Sequence, residues 1–171
     1  FIVGFHYVSS LLLVCVSAAF LMRMDEPGGP RVLAVPRWYA GLTHFTAAVL
    51  AVSIAFGVLT TGAGPHSGDT ESGRNGFDAT LLEHVHAWPG YALLALTIVL
   101  VAIAWVQQLP TRNWGIALLA AQFVQVAIGL YQARNGLPVL AVGIHMVLAA
   151  LTAAAMTLFI LRMKHPVDAA A

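Results

Sequence analysis

Residues 143–163 read GIHMVLAALTAAAMTLFILRM, an apolar run that begins beside His145 and ends beside Arg162. These two residues are 17 positions apart, which corresponds to about 25 Å of helix and is close to the thickness of a bilayer core. Because lipid offers the backbone no hydrogen-bond partners, such a run is expected to be a transmembrane helix. It should carry a histidine near one membrane surface and an arginine at the other.

The same pattern occurs near the start of the chain. Residues 4–24 read GFHYVSSLLLVCVSAAFLMRM, with His6 and Arg23 each 139 positions before their counterparts. A third apolar run also begins with a histidine, His86. The repeat indicates a duplicated bundle of four helices, in which the three histidines should lie at similar depth.

The composition is that of a chain solvated by lipid. Of the 171 residues 60% are hydrophobic and 9% are charged, whereas soluble domains average about 25% charged residues. Five apolar runs approach or exceed the roughly 20 residues that cross a bilayer; we place them near 2–22, 38–60, 80–107, 113–132 and 139–162. The net charge of +1 argues against a nucleic-acid partner, and the single cysteine, Cys15, excludes an intrachain disulfide.

The predicted fold class is an all-α integral membrane protein: an antiparallel transmembrane four-helix bundle preceded by one helix of a duplicated N-terminal bundle. Residues 1–24 are expected to be the last transmembrane helix of the N-terminal half, and 25–37 a cytoplasmic loop. Residues 38–163 are expected to form the C-terminal four-helix half, and 164–171 a cytoplasmic tail. Since Phe1 already lies inside a span, we expect the sequence to be a fragment.

Basic residues set the expected orientation in the plasma membrane. One side of the predicted topology carries six of the eight Lys and Arg residues, and the other side carries only Arg74 and Arg134. By the positive-inside rule the first side faces the cytoplasm, so the histidines lie near the outer face. The six residues are Arg23, Arg31, Arg37, Arg112, Arg162 and Lys164.

Ionisable side chains inside a span are costly, so histidines that recur at one depth indicate a function. Two neutral imidazoles on facing helices suit the two axial positions of a haem iron. A zinc site would need further ligands, and no cysteine or additional carboxylate occurs at this depth. We therefore predict that His86 and His145 bind one haem iron, while His6 belongs to the preceding copy. For any one of them, a hydrogen bond to a backbone carbonyl is the structural alternative.

Two groups of nearby polar residues receive more general roles. Glu83, one turn before His86, either orients a ligand, receives a proton or simply begins the helix, and His84 is expected at the membrane interface. Gln122 and Gln125 are expected to join neighbouring helices, and a hydrogen bond to a cofactor substituent is the alternative.

The longest external loop contains TGAGPHSGD, residues 61–69. Its glycines and Pro65 predict a mobile turn with one rigid bend. The amides of such a turn can bind an anion such as a haem propionate, with His66 as a further donor. An ordinary turn that ends the span is the alternative.

Taken together, these motifs resemble those of haem A synthase. The resemblance rests on TGAGPHSGD after an apolar span, VHA at 85–87, QFVQVAIG at 122–129 and GIHMVLAALT at 143–152. FHYVSSLLLV at 5–14 is similar to the fourth helix of that family. The resemblance covers essentially the whole chain, from the fourth helix to the eighth.

The resemblance implies a specific function. Members of the family have eight transmembrane helices in two pseudo-symmetric halves, an N-terminal half for the substrate and a C-terminal half for a haem b cofactor. They oxidise the C8 methyl group of haem O to a formyl group and supply haem A to terminal oxidase. Besides haem O and the lipid bilayer, the implied partners are haem O synthase and the assembly of cytochrome c oxidase, and a homo-oligomer stays open.

By the same resemblance, His86 and His145 correspond to the axial ligands of haem b, and His66 to a loop histidine that contacts the cofactor. His6 corresponds to the second histidine of the substrate half, where it would be a catalytic ligand of the substrate haem iron. The cysteine pair and the glutamate-bearing second helix of the family belong to the other half. We therefore expect this chain to be inactive on its own.

Two other functions would also use the histidines. A membrane cytochrome b electron carrier without catalytic activity would need the same two ligands, but it leaves the glycine-proline loop unexplained. A proton-coupled transporter would need histidines without haem, but the spans lack the unwound glycine and proline interruptions typical of transporters.

Overall fold

The computed structural model of the chain describes residues 2–24, 26–64 and 75–167. This part contains five long helices, and each is long and apolar enough to cross a membrane. Their ends lie within three residues of the predicted ends. The helices are α1 (Ile2–Met24), α2 (Arg37–Ala63), α3 (Ala79–Val106), α4 (Arg112–Arg134) and α5 (Val139–Leu161).

Local sequence explains several helix ends. Asp78 caps α3, where its carboxylate accepts hydrogen bonds from the backbone amides of Thr80 and Leu81 at 2.8 and 3.1 Å. Both α2 and α5 begin directly after a proline, Pro36 and Pro138. Although Pro89 lies inside α3, the helix continues through it.

The helices pack in a closed series of contacts. Helix α2 contacts α3, α3 contacts α4, α4 contacts α5, and α5 returns to α2, while α1 lies against α5 and α2. The centre of the packed core contains four fully buried side chains, those of Tyr39, Leu100, Leu118 and Phe159. These residues bring the start of α2 and the end of α5 together at one end of the molecule.

We call this end the basic end, because it contains Arg23, Arg31 and Arg162. Here the structure adds a feature that was not predicted: β1 (Arg31–Leu33) pairs in antiparallel register with β2 (Lys164–Pro166). The predicted loop 25–37 and tail 164–171 are thus joined by backbone hydrogen bonds. Three guanidinium groups also converge on Glu26, with Arg23 at 2.6 Å, Arg31 at 2.8 Å and Arg162 at 3.5 Å.

At the opposite end, which we call the histidine end, side-chain hydrogen bonds join α2 to α3 and to the residues before it. The Thr60 hydroxyl donates to the carbonyl of Leu82 at 3.2 Å, and the Asn75 amide donates to the carbonyl of Leu59 at 2.8 Å. These bonds hold the end of α2 beside the start of α3, where one of the predicted ligands lies.

Candidate functional site

The imidazole rings of His86 and His145 meet at the histidine end. Their centroids are 6.2 Å apart and their planes are nearly perpendicular, at 86°. One ring comes from the first part of α3 and the other from the first part of α5, and both are half-buried. The structure therefore brings together the two residues that the sequence paired.

The orientation of the His86 ring is determined by α2. Its Nδ1 lies 2.9 Å from the carbonyl oxygen of Ser53 and must donate, because a carbonyl only accepts. In a neutral ring this leaves Nε2 with a free lone pair. The ring also packs on Gly57, where a Cβ atom would come within 3.0 Å of the imidazole Cε1.

The His145 ring rests on α4 in a similar way but is bonded differently. A Cβ atom at Gly129 would come within 3.0 Å of its Cε1. The Gln125 amide nitrogen lies 3.1 Å from the His145 carbonyl oxygen and 3.4 Å from the ring Nε2. Within the described residues the buried Nδ1 of His145 and Oε1 of Gln125 have no hydrogen-bond partner.

The two glycines were missed by the sequence analysis, although a short repeat marks them. Ser53 and Gly57 enclose SIAFG, and Gln125 and Gly129 enclose QVAIG, so a polar residue precedes each glycine by one helical turn. The backbone carbonyl of Ser53 and the side-chain amide of Gln125 each contact a histidine of the following helix, and the glycine receives the ring of that histidine. Glycine lets each ring approach this closely, because a Cβ atom at 3.0 Å would push the imidazole away by a few tenths of an ångström.

The other predicted site residues are not part of this pair. His6 is exposed on α1, but the neighbouring Tyr7 hydroxyl donates to the carbonyl of Met146 at 2.9 Å. Because Tyr7 and Met146 are equivalent positions in the repeat, His6 and His145 lie at matching levels of adjacent helices. His66 lies outside the described residues.

The remaining polar residues behave as helix contacts or surface groups. The buried Gln122 side chain donates to the Thr97 hydroxyl at 2.9 Å and so joins α4 to α3. Together with the contact of Gln125 to α5, this confirms that both glutamines join helices. Glu83 and His84 are exposed.

The 6.2 Å separation of the ring centroids is close to that of two imidazoles bound to opposite sides of one metal atom. Metal–nitrogen bonds of about 2 Å, with the distance from each nitrogen to its ring centre added, give a similar centroid separation. No group of three or more His, Cys, Asp or Glu residues suited to a metal ion occurs in the described ranges. Two neutral imidazoles are a suitable donor set for a haem iron, which takes two axial ligands. Two surface grooves lie elsewhere, and neither is lined by these histidines.

Comparisons of the chain with models of protein families, with curated proteins and with solved structures found no match.

Proposed function

We propose that this chain binds one haem b between His86 and His145 and forms the haem b half of a membrane enzyme that converts haem O to haem A. The observation that carries the proposal is the approach of two imidazoles, from α3 and α5, to a centroid separation of 6.2 Å. Histidines on facing helices are a common way of holding a cofactor inside a helical protein. The resemblance to haem A synthase extends the proposal from haem binding to oxidation of the C8 methyl group.

Neighbouring residues would fix the orientation of the two ligand histidines, His86 and His145. The Ser53 carbonyl keeps the proton of His86 on Nδ1 and leaves Nε2 for the iron, an arrangement that orients many metal-binding histidines. Gln125 contacts the ring and the backbone of His145, so it can determine the orientation of the imidazole. When bound, a haem with two histidine ligands supplies one-electron transfer.

The residues of this half would therefore support a reaction that occurs elsewhere in the enzyme. Because His86 and His145 would both bind the iron of this haem, the oxidation of the substrate methyl group is assigned to the other half. The exposed His6 on α1 would bind the substrate haem iron there. His66 of the external loop would contact a haem propionate.

The proposal includes the arrangement of the helices in the membrane. Residues 38–163 would form an antiparallel transmembrane four-helix bundle, with α1 as the last helix of the preceding half. The closed series of contacts from α2 to α5 supports the bundle. The positive-inside rule supports a cytoplasmic basic end, which puts the haem near the outer face of the plasma membrane.

Absorption and electron paramagnetic resonance spectra of the purified protein test the haem site. We expect a low-spin haem b spectrum in the wild type and its complete loss in His86→Ala and in His145→Ala. His84→Ala is the matched control: His84 is two residues from His86 and exposed, and its ring contacts the Thr80 carbonyl of its own helix. An unchanged low-spin spectrum in both ligand variants, or a wild type without Soret absorption, would disprove the site.

A second measurement separates the enzyme from a cytochrome b electron carrier. The gene with its natural flanking sequence is expressed beside a haem O synthase, and extracted haems are separated by chromatography. Haem A is expected in the wild type and should be absent from the His86→Ala and His145→Ala strains. A haem b protein that forms no haem A would be an electron carrier.

A further inference from the structure

A groove opens at the basic end between α1 and the adjoining parts of α4 and α5. Its volume is about 580 Å³. Ala18 and Leu21 of α1 and Leu158 of α5 contribute apolar walls, and Trp114, Glu26 and Arg162 contribute its polar end. The groove thus combines a surface suited to hydrocarbon with a charged terminus.

Arg162 determines which ligand this groove suits. Its guanidinium carbon lies 5.3 Å from the centre of the Trp114 ring, and its side chain is 40% exposed. Among the described residues its carboxylate contact is the long one to Glu26, at 3.5 Å, and its buried Nε has no hydrogen-bond partner. Because the Arg162 side chain is 40% exposed and lines the groove, its guanidinium group can be reached by an anion in the groove.

The charges around the groove also favour an anion. Arg23 and Arg31 both donate to one oxygen of Glu26, and Arg162 approaches the other oxygen. Among the described residues, three positive charges therefore face one carboxylate, and this excess of positive charge favours an anion.

We infer that the groove binds an anionic phospholipid, with the phosphate at Arg162 and one acyl chain along Ala18, Leu21 and Leu158. The planar guanidinium matches a phosphate in shape and charge. Basic pockets between transmembrane helices bind anionic lipid headgroups, and tryptophan is common at headgroup level. The inference is independent of the proposed haem site, which lies at the opposite end.

A second arginine at the same end provides a matched control. Arg112 lies over Trp105 with its guanidinium carbon 5.6 Å from the ring centre, much as Arg162 lies over Trp114. However, neither Arg112 nor Trp105 lines the groove. Removal of either arginine takes away one charge and one stacked pair, but only Arg162 should affect the lipid.

Native mass spectrometry of the purified chain in detergent can measure the binding. The protein is titrated with phosphatidylglycerol and, separately, with phosphatidylcholine of the same acyl chains. We expect tighter binding of phosphatidylglycerol, and about a tenfold weakening of that binding in Arg162→Gln, as the loss of a charge-assisted contact implies. Arg112→Gln should bind as the wild type does.

Two further variants keep the test decisive if Arg162→Gln folds poorly. Ala18→Trp preserves every charge but fills the groove, so it should also weaken phosphatidylglycerol binding. Arg162→Lys keeps the charge but loses the planar fork and should bind with intermediate affinity. Equal affinity for the two lipids, normal binding in Ala18→Trp, or equal losses in the two arginine variants would overturn the inference. The inference would also be overturned if the wild type copurified with a quinone that Arg162→Gln releases, while phosphatidylglycerol binding stayed unchanged.

Discussion

The two ends of the molecule use their polar groups in different ways. At the basic end, the fully buried Tyr39 donates or accepts at the Thr111 hydroxyl, at 3.1 Å, and lies 3.3 Å from the Leu100 carbonyl. At the histidine end, the buried Nδ1 of His145 and Oε1 of Gln125 have no partner in the described part of the chain. Buried polar groups that have hydrogen-bond partners stabilise a fold, whereas those without partners cost free energy. Groups without partners are expected where a ligand supplies the missing hydrogen bond. The paired groups around Tyr39 are therefore expected to hold the helices together. Within the residues that the structure describes, unpaired buried atoms occur at both proposed ligand sites, at His145 of the histidine end and at the Nε of Arg162 of the basic end.

Replacing Tyr39 by alanine tests the stabilising role of the basic end and should have the largest effect on stability. Removal of a fully buried aromatic side chain costs about 3–5 kcal/mol, because it leaves a cavity and unpaired polar groups. We expect a strongly lowered unfolding midpoint in detergent, while the remaining folded protein keeps the haem spectrum of the wild type.

Two variants separate the causes of that loss. Tyr39→Phe removes only the hydroxyl and should cost about 1 kcal/mol. Trp38→Ala removes a neighbouring aromatic side chain that is 54% exposed, and its effect should be small. If Tyr39→Ala abolished the haem spectrum at unchanged stability, the division of roles between the two ends would be wrong.

Much of the helix arrangement could be predicted from the sequence, since apolar length alone locates a transmembrane helix. The recurrence of histidine at the head of three runs was enough to pair His86 with His145. The small sheet was not predictable, because three-residue strands such as Arg31–Leu33 carry no usable periodicity. Its pairing depends on the ends of α1 and α5 being adjacent.

The contacts within the site were harder to foresee. A glycine inside an apolar run has many uses, so the repeat that marks Gly57 and Gly129 does not by itself assign them to a site, and their role follows from the imidazole that packs on each. Similarly, the sequence does not distinguish a histidine bonded to a carbonyl, as His86 is, from one beside a glutamine, as His145 is. These differences depend on the rotation of each helix about its axis.

Replacing Gly57 or Gly129 by alanine tests whether these glycines position the two imidazoles at the histidine end. A Cβ atom 3.0 Å from an imidazole carbon is closer than ordinary contact, so the ring must move by a few tenths of an ångström. We expect a shifted haem spectrum in both variants, with a cost in stability of about 1 kcal/mol. Absorption spectra and unfolding midpoints measure the two effects.

Gly41→Ala is the matched control for Gly57→Ala, because both glycines lie in α2 and a Cβ atom at Gly41 meets no atom within 4 Å. Alanine there should leave the spectrum unchanged and raise stability slightly through its higher helix propensity. Equal spectra in all three variants would show that the glycines do not position the imidazoles.

The smallest effect is expected from Glu26→Gln at the basic end. Burial of the Glu26 carboxyl tends to raise its pKa, but the hydrogen bond from Arg23 and the charges of Arg23, Arg31 and Arg162 outweigh this and hold the pKa below its usual 4.5. The side chain is only 16% exposed, so loss of its ion pairs should cost about 0.5 kcal/mol at neutral pH. Glu83 is an exposed carboxylate at the histidine end with no ion pair inside the described ranges. Glu83→Gln should therefore leave the free energy of unfolding unchanged.

The pH dependence of this difference identifies its cause. A carboxyl whose pKa is lowered by folding binds fewer protons in the folded state, so its stabilising contribution is fully present above the ordinary pKa. That contribution is lost as the pH falls through the lowered value. The stability difference between the wild type and Glu26→Gln should therefore be constant at neutral pH and shrink once the pH falls below about 4.5. A difference that stayed constant into that acidic range would mean that the side chain of Glu26 stabilises the basic end by its packing and neutral hydrogen bonds, because charge pairing with the three arginines requires the ionised form.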